Sequence, residues 1–84
     1  MHQYQEIAKN FLGPYVVGMR ESKHLKKSAM STWLQIDPRS YSEIEKGRYC
    51  LSAASLLCFQ SKLDDAELLD MLHQFRAIVE SKGE

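Results

Sequence analysis

Arg39, Lys26, Lys27, Lys46 and Arg48 are the residues of this chain best suited to chemistry, and that chemistry is anion binding. A guanidinium can fork onto a phosphate, or onto the O6 and N7 edge of guanine. Lysine meets phosphate as a point charge. Between Arg20 and Arg48, seven basic residues stand against four acidic ones, leaving +3. From Tyr49 to Glu84 there are three basic and six acidic residues, leaving −3. The 84-residue chain is neutral as a whole, which argues against an indiscriminate polyanion binder and places the positive charge on one segment.

Other chemistries lack their residues. His2, His24 and His73 are scattered, and none shares metal-ligand spacing with a cysteine or carboxylate. There is no Gly-rich phosphate loop, and no serine or cysteine sits in a nucleophile motif. Asp64-Asp65 reads as a helix start rather than a catalytic pair. The expectation is no enzyme activity, no cofactor, no metal and no small-molecule ligand. Cys50 and Cys58 do not make a disulfide framework: Cys58 falls in an apolar helix as a reduced core residue, and Cys50 is expected to be partly exposed. No run of about 18 apolar residues suggests a membrane span. The N-terminal MHQYQEIAKN lacks the pattern of a signal peptide, so the cytoplasm is the expected compartment.

The elements that must position the basic residues are helical. With 44% hydrophobic and 26% charged residues the composition is that of an ordinary globular domain, and the apolar residues recur at helical spacing. Tyr4, Ile7, Ala8 and Phe11 form one face over residues 2–11. Gly13-Pro14 then punctuates, and Pro14 opens a helix to about Ser22 with Leu12, Val16 and Met19 inward. A helix follows from about Lys26 to Leu34. Asp37-Pro38 opens the next, ending at Lys46 with Gly47 placed for a left-handed cap. Ser52 caps a helix over 53–63 with Leu56, Leu57, Phe59 and Leu63 as core candidates. Asp64 and Glu67 have capping-box spacing and open a helix over about 65–81, carrying Leu68, Leu69, Leu72, Phe75, Ile78 and Val79. Ser81-Lys82-Gly83-Glu84 is expected to fray.

Within this order, Leu25 to Gly47 places Met30, Leu34, Ile36, Tyr41 and Ile44 where two short helices crossing steeply must touch. That is a helix-turn-helix, whose second helix commonly lies in the DNA major groove. Residues 12–69 resemble a Cro/repressor-type (XRE-family, lambda-repressor-like) DNA-binding domain. The likeness is carried by LGPYVVGMRE, by the ungapped LKKSAMSTWLQIDPRSYSEIEKG, and by RYCLSAASLLCFQSKLDD. The resemblance implies an all-α, five-helix domain. Residues 1–11 add an N-terminal helical extension, and 70–84 add the end of a long amphipathic C-terminal helix with its tail. It also implies an internal ion pair between Arg20 and Glu45.

The chain departs from the family pattern at several positions. Gln35 stands where glycine usually occupies the turn, which requires a left-handed residue. Ser31 replaces alanine and Lys27 a glutamine. Pro38 occupies an early recognition-helix position and cannot hydrogen-bond a base edge.

What the resemblance implies for function is sequence-specific binding of double-stranded DNA by a bacterial or phage transcriptional regulator. Arg39, Ser40 and Glu43 are the groove candidates. Arg39 either reads guanine or contacts phosphate. Glu43 either accepts from cytosine N4 or discriminates against wrong sites as a solvated charge, and Ser40 and Ser42 either reach the DNA or stand by. Lys26, Lys27, Lys46 and Arg48 are read as phosphate clamps, against the alternative of a solubilising surface. Trp33 is expected to pack on the extension around Tyr4, Ile7 and Phe11, the alternative being a partner interface. The stripe on the last helix exceeds what a small core needs, so a homodimer on a palindromic operator is expected, against a monomer that buries the stripe itself. The competing function is a helix-turn-helix used to bind a protein partner, antitoxin-like, with weak or no DNA binding.

Overall fold

A computed structural model describes residues 2–83 of the chain. The described residues form five helices: α1 (His2–Ser22), α2 (Lys27–Leu34), α3 (Pro38–Glu45), α4 (Ala53–Gln60) and α5 (Asp65–Gly83). The protein is all-α, as expected. α2 packs on α3 and α4, and α1 packs on α3 and α5. Val16, Met30, Leu34, Tyr41 and Phe59 are fully buried where these helices meet, joined by Leu12, Ile44, Leu51, Leu63 and Met71.

The main correction concerns α1. Gly13-Pro14 does not divide it; a single helix runs from residue 2 to 22 with Pro14 inside. Tyr4, Ile7, Ala8, Phe11, Leu12, Tyr15, Val16 and Met19 explain why. They form one stripe whose phase does not change at the proline. Burying the part of that stripe from Ile7 to Met19 outweighs the hydrogen bond and steric fit that proline removes, about 3 kcal/mol, while Tyr4 at its start stays 48% exposed. Phe11 meets Phe75 of α5 with ring centroids 5.4 Å apart, and Tyr15 meets Phe59 of α4 edge-on at 6.4 Å. Gly13 serves the packing: a Cβ there would come within 3.1 Å of the Ile44 carbonyl oxygen. It is where α1 approaches the backbone of α3.

The first three helices end in the same way. After α1, His24 N–H donates to the Glu21 carbonyl (3.1 Å) and Leu25 N–H to that of Arg20 (2.9 Å). After α2, Gln35 donates to Thr32 and Ile36 to Ser31, both at 3.1 Å; after α3, Gly47 donates to Ile44 and Arg48 to Glu43, both at 3.0 Å. These are Schellman ends, and each needs a left-handed residue. His24 (φ 57°), Gln35 (φ 59°) and Gly47 (φ 79°) supply it. Leu25 and Ile36, the residues just past the first two ends, pack against the core and fasten each turn.

The helix starts follow their sequence signals. Asp37 accepts from Ser40 N–H at 2.9 Å with Pro38 in the first turn, and Ser52 accepts from Ser55 N–H at 3.1 Å. Asp64 and Glu67 cap each other reciprocally, at 3.0 and 2.8 Å. Ser31 is buried, but its hydroxyl donates to the Ser28 carbonyl at 2.7 Å, so it takes an alanine-sized place without stranding a polar group.

Other differences are of face and length. α4 stops at Gln60, and residues 61–63 turn, yet Leu63 stays buried. Leu57, expected in the core, is 65% exposed. Once Phe59 and Ser55 point inward, a residue two positions from each lies on the opposite side of the helix. Leu69 and Leu72 are 55% and 52% exposed, so they stand outside the core that Met71 and Leu68 enter. α5 continues to Gly83 instead of ending near 81, and the part of the expected fraying assigned to Glu84 lies outside the described residues. Trp33 is half-buried against the core, on a helix that packs chiefly on α3 and α4, while the extension places Phe11 against α5.

Candidate nucleic-acid interface

α3 is oriented by two inward side chains, Tyr41 and Ile44. With these buried, Arg39, Ser42, Glu43 and Lys46 share the opposite, outward face, at helical spacing. Arg39 is exposed near the start of α3 and enters no ion pair among the described residues. Lys26 is the N-terminal flanking residue of α2, and Lys27 is its first residue; both are exposed. Lys46 and Arg48, exposed too, follow α3. The five cations named from the sequence thus stand at the beginning of α2 and along and beyond α3.

Ser40 is committed locally. Its N–H and hydroxyl both donate to the Asp37 carboxylate, at 2.9 and 3.1 Å. Those bonds hold the Asp37 carboxyl below the usual carboxylate range, the backbone N–H contributing most. Ser40 is therefore a cap partner first, and any contact of its hydroxyl with DNA would compete with Asp37.

Glu43 is the centre of a small charge cluster. Arg48 Nη1 donates to both of its carboxylate oxygens, at 3.2 and 3.4 Å, and Lys46 Nζ lies 3.7 Å away. Two of the four expected phosphate clamps are thus paired with an acidic residue of the same face. The spacing of Glu43 and Lys46 is a helical i, i+3 pair and could be read from sequence. The Arg48 contact could not, because the Gly47 turn creates it.

Arg20 and Glu45 are also in contact. Arg20 Nε donates to Glu45 Oε2 at 2.8 Å, and Arg20 Nη1 donates to the Leu25 carbonyl at 3.1 Å. The bond to the carboxylate is single rather than forked, and a separate donor of the same guanidinium serves the backbone of the turn between α1 and α2. The pair is mostly buried, with side chains 15% and 12% exposed, and Lys27 Nζ stands 3.8 Å from the other Glu45 oxygen. One carboxylate at the end of α3 therefore gathers cations from α1 and α2. Tyr41 lies beside it, fully buried, with a hydroxyl that finds no hydrogen-bond partner. Burial and, next, the Glu45 carboxylate push its ionisation far above the ordinary tyrosine value.

Outside this surface, Lys23 Nζ contacts Glu67 Oε2 at 2.8 Å, joining the end of α1 to the start of α5. Both cysteines are free thiols, Cys50 exposed and Cys58 half-buried. Among the described residues, no group of three or more His, Cys, Asp or Glu side chains is arranged to hold a metal, and no helix is long and apolar enough to cross a membrane.

Comparison with models of protein families, with curated proteins and with solved structures finds no significant match.

Proposed function

We propose that this protein binds double-stranded DNA in a sequence-specific manner and regulates transcription in the cytoplasm of a bacterium or for a phage. The observation that carries the reading is the outward face of α3. It presents an Arg39 that enters no ion pair among the described residues near the helix start, with Lys26 and Lys27 exposed at the start of α2 and Lys46 and Arg48 exposed past the end of α3. A helix so placed fits the major groove, where Arg39 forks onto guanine and the flanking cations meet phosphate. Pro38 contributes helix initiation and no base contact, so Arg39 and Glu43 carry the direct reading.

The protein acts as a homodimer through α5 in this proposal. Support comes from Leu57, Leu69 and Leu72, all more than half exposed, and from an apolar groove of about 160 Å3 that Leu72 lines with Ala8, Leu56 and Phe75. A two-fold pair sets two copies of α3 about 34 Å apart on one face of the duplex.

The deciding experiment is a titration of the folded protein against the DNA flanking its own gene, with Arg39→Ala as control. Binding at low salt that weakens in Arg39→Ala and falls steeply with salt supports the proposal. No binding at low salt overturns it.

A second reading, a helix-turn-helix that docks a protein partner, is favoured by the same exposed leucines and by the acidic Glu43 on the outward face. In that case Leu57→Ser or Leu72→Ser removes partner capture while Arg39→Ala does not.

A further inference from the structure

Of the five exposed cations around α3, three already face a carboxylate. Arg48 and Lys46 face Glu43, and Lys27 faces Glu45. Lys26 and Arg39 enter no ion pair among the described residues. The Glu43 cluster is fixed by the backbone as well as by charge. The left-handed turn at Gly47 brings Arg48 back over the helix end, where its N–H bonds the Glu43 carbonyl. Glu43 is itself only 23% exposed between its two partners.

A phosphate and a carboxylate compete for the same donors, and they repel each other. On DNA of arbitrary sequence, Lys46 and Arg48 reach a phosphate only by leaving Glu43 uncompensated within the field of a polyanion. On a site that offers the amino group of cytosine in the groove opposite α3, the carboxylate acquires a new donor as it gives up the old ones.

Resting on the DNA-binding reading above, we propose that Glu43 is a specificity-determining residue. It holds Lys46 and Arg48 off phosphate until a base-edge donor replaces them. Base reading and phosphate clamping are thereby coupled. A wrong base forfeits the Glu43 interaction and also weakens two others that read no sequence. Exposed ion pairs are individually weak, so the coupling amounts to several-fold changes in affinity.

The test compares the full chain with Glu43→Gln, which keeps the shape and removes the charge. Both are titrated by fluorescence anisotropy against a random-sequence duplex and against a duplex selected by the wild-type protein, from about 50 to 200 mM salt. Helical circular dichroism checks the fold. Glu43→Gln is expected to bind the random duplex about 3- to 10-fold tighter at low salt, the size set by weak surface pairs. Its dependence of log K on log salt should steepen by about 1 to 2, near 0.9 for each further phosphate neutralised. Its preference for the selected duplex should shrink. Adding Arg48→Ala to Glu43→Gln should abolish most of the tightening, whereas Arg48→Ala alone should change random-duplex binding little.

Equal affinities and slopes for the two proteins overturn the proposal and leave DNA binding standing. Tightening that survives removal of Arg48 overturns it too, because it would reflect the loss of Glu43's own repulsion of phosphate rather than the release of its partners. Weakening by Arg48→Ala alone as large as the tightening by Glu43→Gln overturns it as an effect of net charge. Failure of both folded proteins to bind any duplex overturns this proposal and the DNA-binding reading together.

Discussion

Arg20 and Glu45 join the end of α1 to the end of α3 through one 2.8 Å bond, and the second arm of Arg20 holds the Leu25 carbonyl in the turn that leads to α2. One guanidinium therefore ties the end of α3 to the end of α1 and to the turn before α2, in addition to the anchoring of α3 by Tyr41 and Ile44. A mostly buried charge left without its partner is strongly unfavourable, whereas removing both ends together costs less. Arg20→Ala and Glu45→Ala should each lower the urea midpoint clearly more than Lys46→Ala does. The double variant should be less destabilised than the sum of the singles, as a double-mutant cycle reads directly. Additive effects would show that the bond contributes no coupling energy to the stability of the fold.

Tyr41 lies beside that pair with a buried and unpartnered hydroxyl. Such a group costs about 1–3 kcal/mol when nothing satisfies it. Its ring fills the core between α3 and the rest, while its hydroxyl faces the Arg20–Glu45 pair without forming a hydrogen bond. Tyr41→Phe should leave stability unchanged or raise it by up to about 1 kcal/mol, measured as the chemical-denaturation free energy. Tyr41→Ala, which empties the same volume, should cost about 3–5 kcal/mol. A clear loss in Tyr41→Phe would mean that the hydroxyl is bonded in solution.

Gln35 holds a left-handed conformation at φ 59° where α2 ends. A side chain there costs about 1–2 kcal/mol relative to the right-handed region, and glycine gives back part of the benefit through its greater freedom when unfolded. Gln35 also donates its side-chain amide to the Thr32 carbonyl at 2.9 Å, an exposed bond that adds little. Gln35→Gly should therefore stabilise by about 0.5–1 kcal/mol, read as a rise in denaturation midpoint at constant slope. A loss of stability would show that the amide bond outweighs the strain.

Much of this was legible locally. Asp37-Pro38, Ser52, Asp64 with Glu67, and Gly47 each announce a helix boundary through the bonds of their own few residues, and each boundary lies where those bonds place it, within a residue. What escaped depended on distant packing or on conformations without a compositional mark. Gly13-Pro14 reads as a break until the stripe from Tyr4 to Met19 is followed across it. Leu57 lies in a helix so apolar that periodicity cannot choose its inner face; Phe59 chooses it. His24 takes a left-handed conformation that nothing in its neighbours signals. At the candidate interface the residue types and outward placement of Arg39, Lys46 and Arg48 were readable. The pairing of Arg48 with Glu43 was not, because it needs the backbone to reverse at Gly47.

Glu67 makes the stability of the fold sensitive to acid. Lys23 Nζ and then the Asp64 N–H hold its carboxyl below the usual carboxylate range. A carboxyl whose folded value is depressed stabilises the native state above its unfolded value, near 4.3. That stabilisation is lost as pH falls through the folded value. Asp37 is depressed in the same direction by the Ser40 N–H and hydroxyl, so it adds to the same limb. Stability should be flat between about pH 5 and pH 7 and should decline below about pH 4.3. Glu67→Gln should be less stable at neutral pH and less sensitive across that window. Asp37→Asn, which retains a capping oxygen, should lose acid sensitivity with a smaller drop at neutral pH. Urea midpoints collected between about pH 2 and pH 7 test both, and parallel curves for wild type and Glu67→Gln would refute the assignment.

Met71 and Leu72 are neighbours on α5 with opposite fates, and the contrast separates folding from assembly. Met71 is 4% exposed, whereas Leu72 is 52% exposed beside the groove that also touches Leu56 and Phe75. Met71→Ala should cost about 2–5 kcal/mol whatever the oligomeric state, because it empties core volume. Leu72→Glu should change the stability of a single chain by only about 0.5 kcal/mol, as exposed substitutions do. If two copies cover this surface, the same charge becomes buried without a partner on both sides of a two-fold interface. The wild-type protein should then sediment as a dimer at micromolar concentration and Leu72→Glu as a folded monomer. Its DNA affinity should fall because the second copy of α3 no longer binds alongside the first. A wild-type protein that remains monomeric both free and on DNA removes the homodimer, and leaves Leu57, Leu69 and Leu72 as a surface for a different partner.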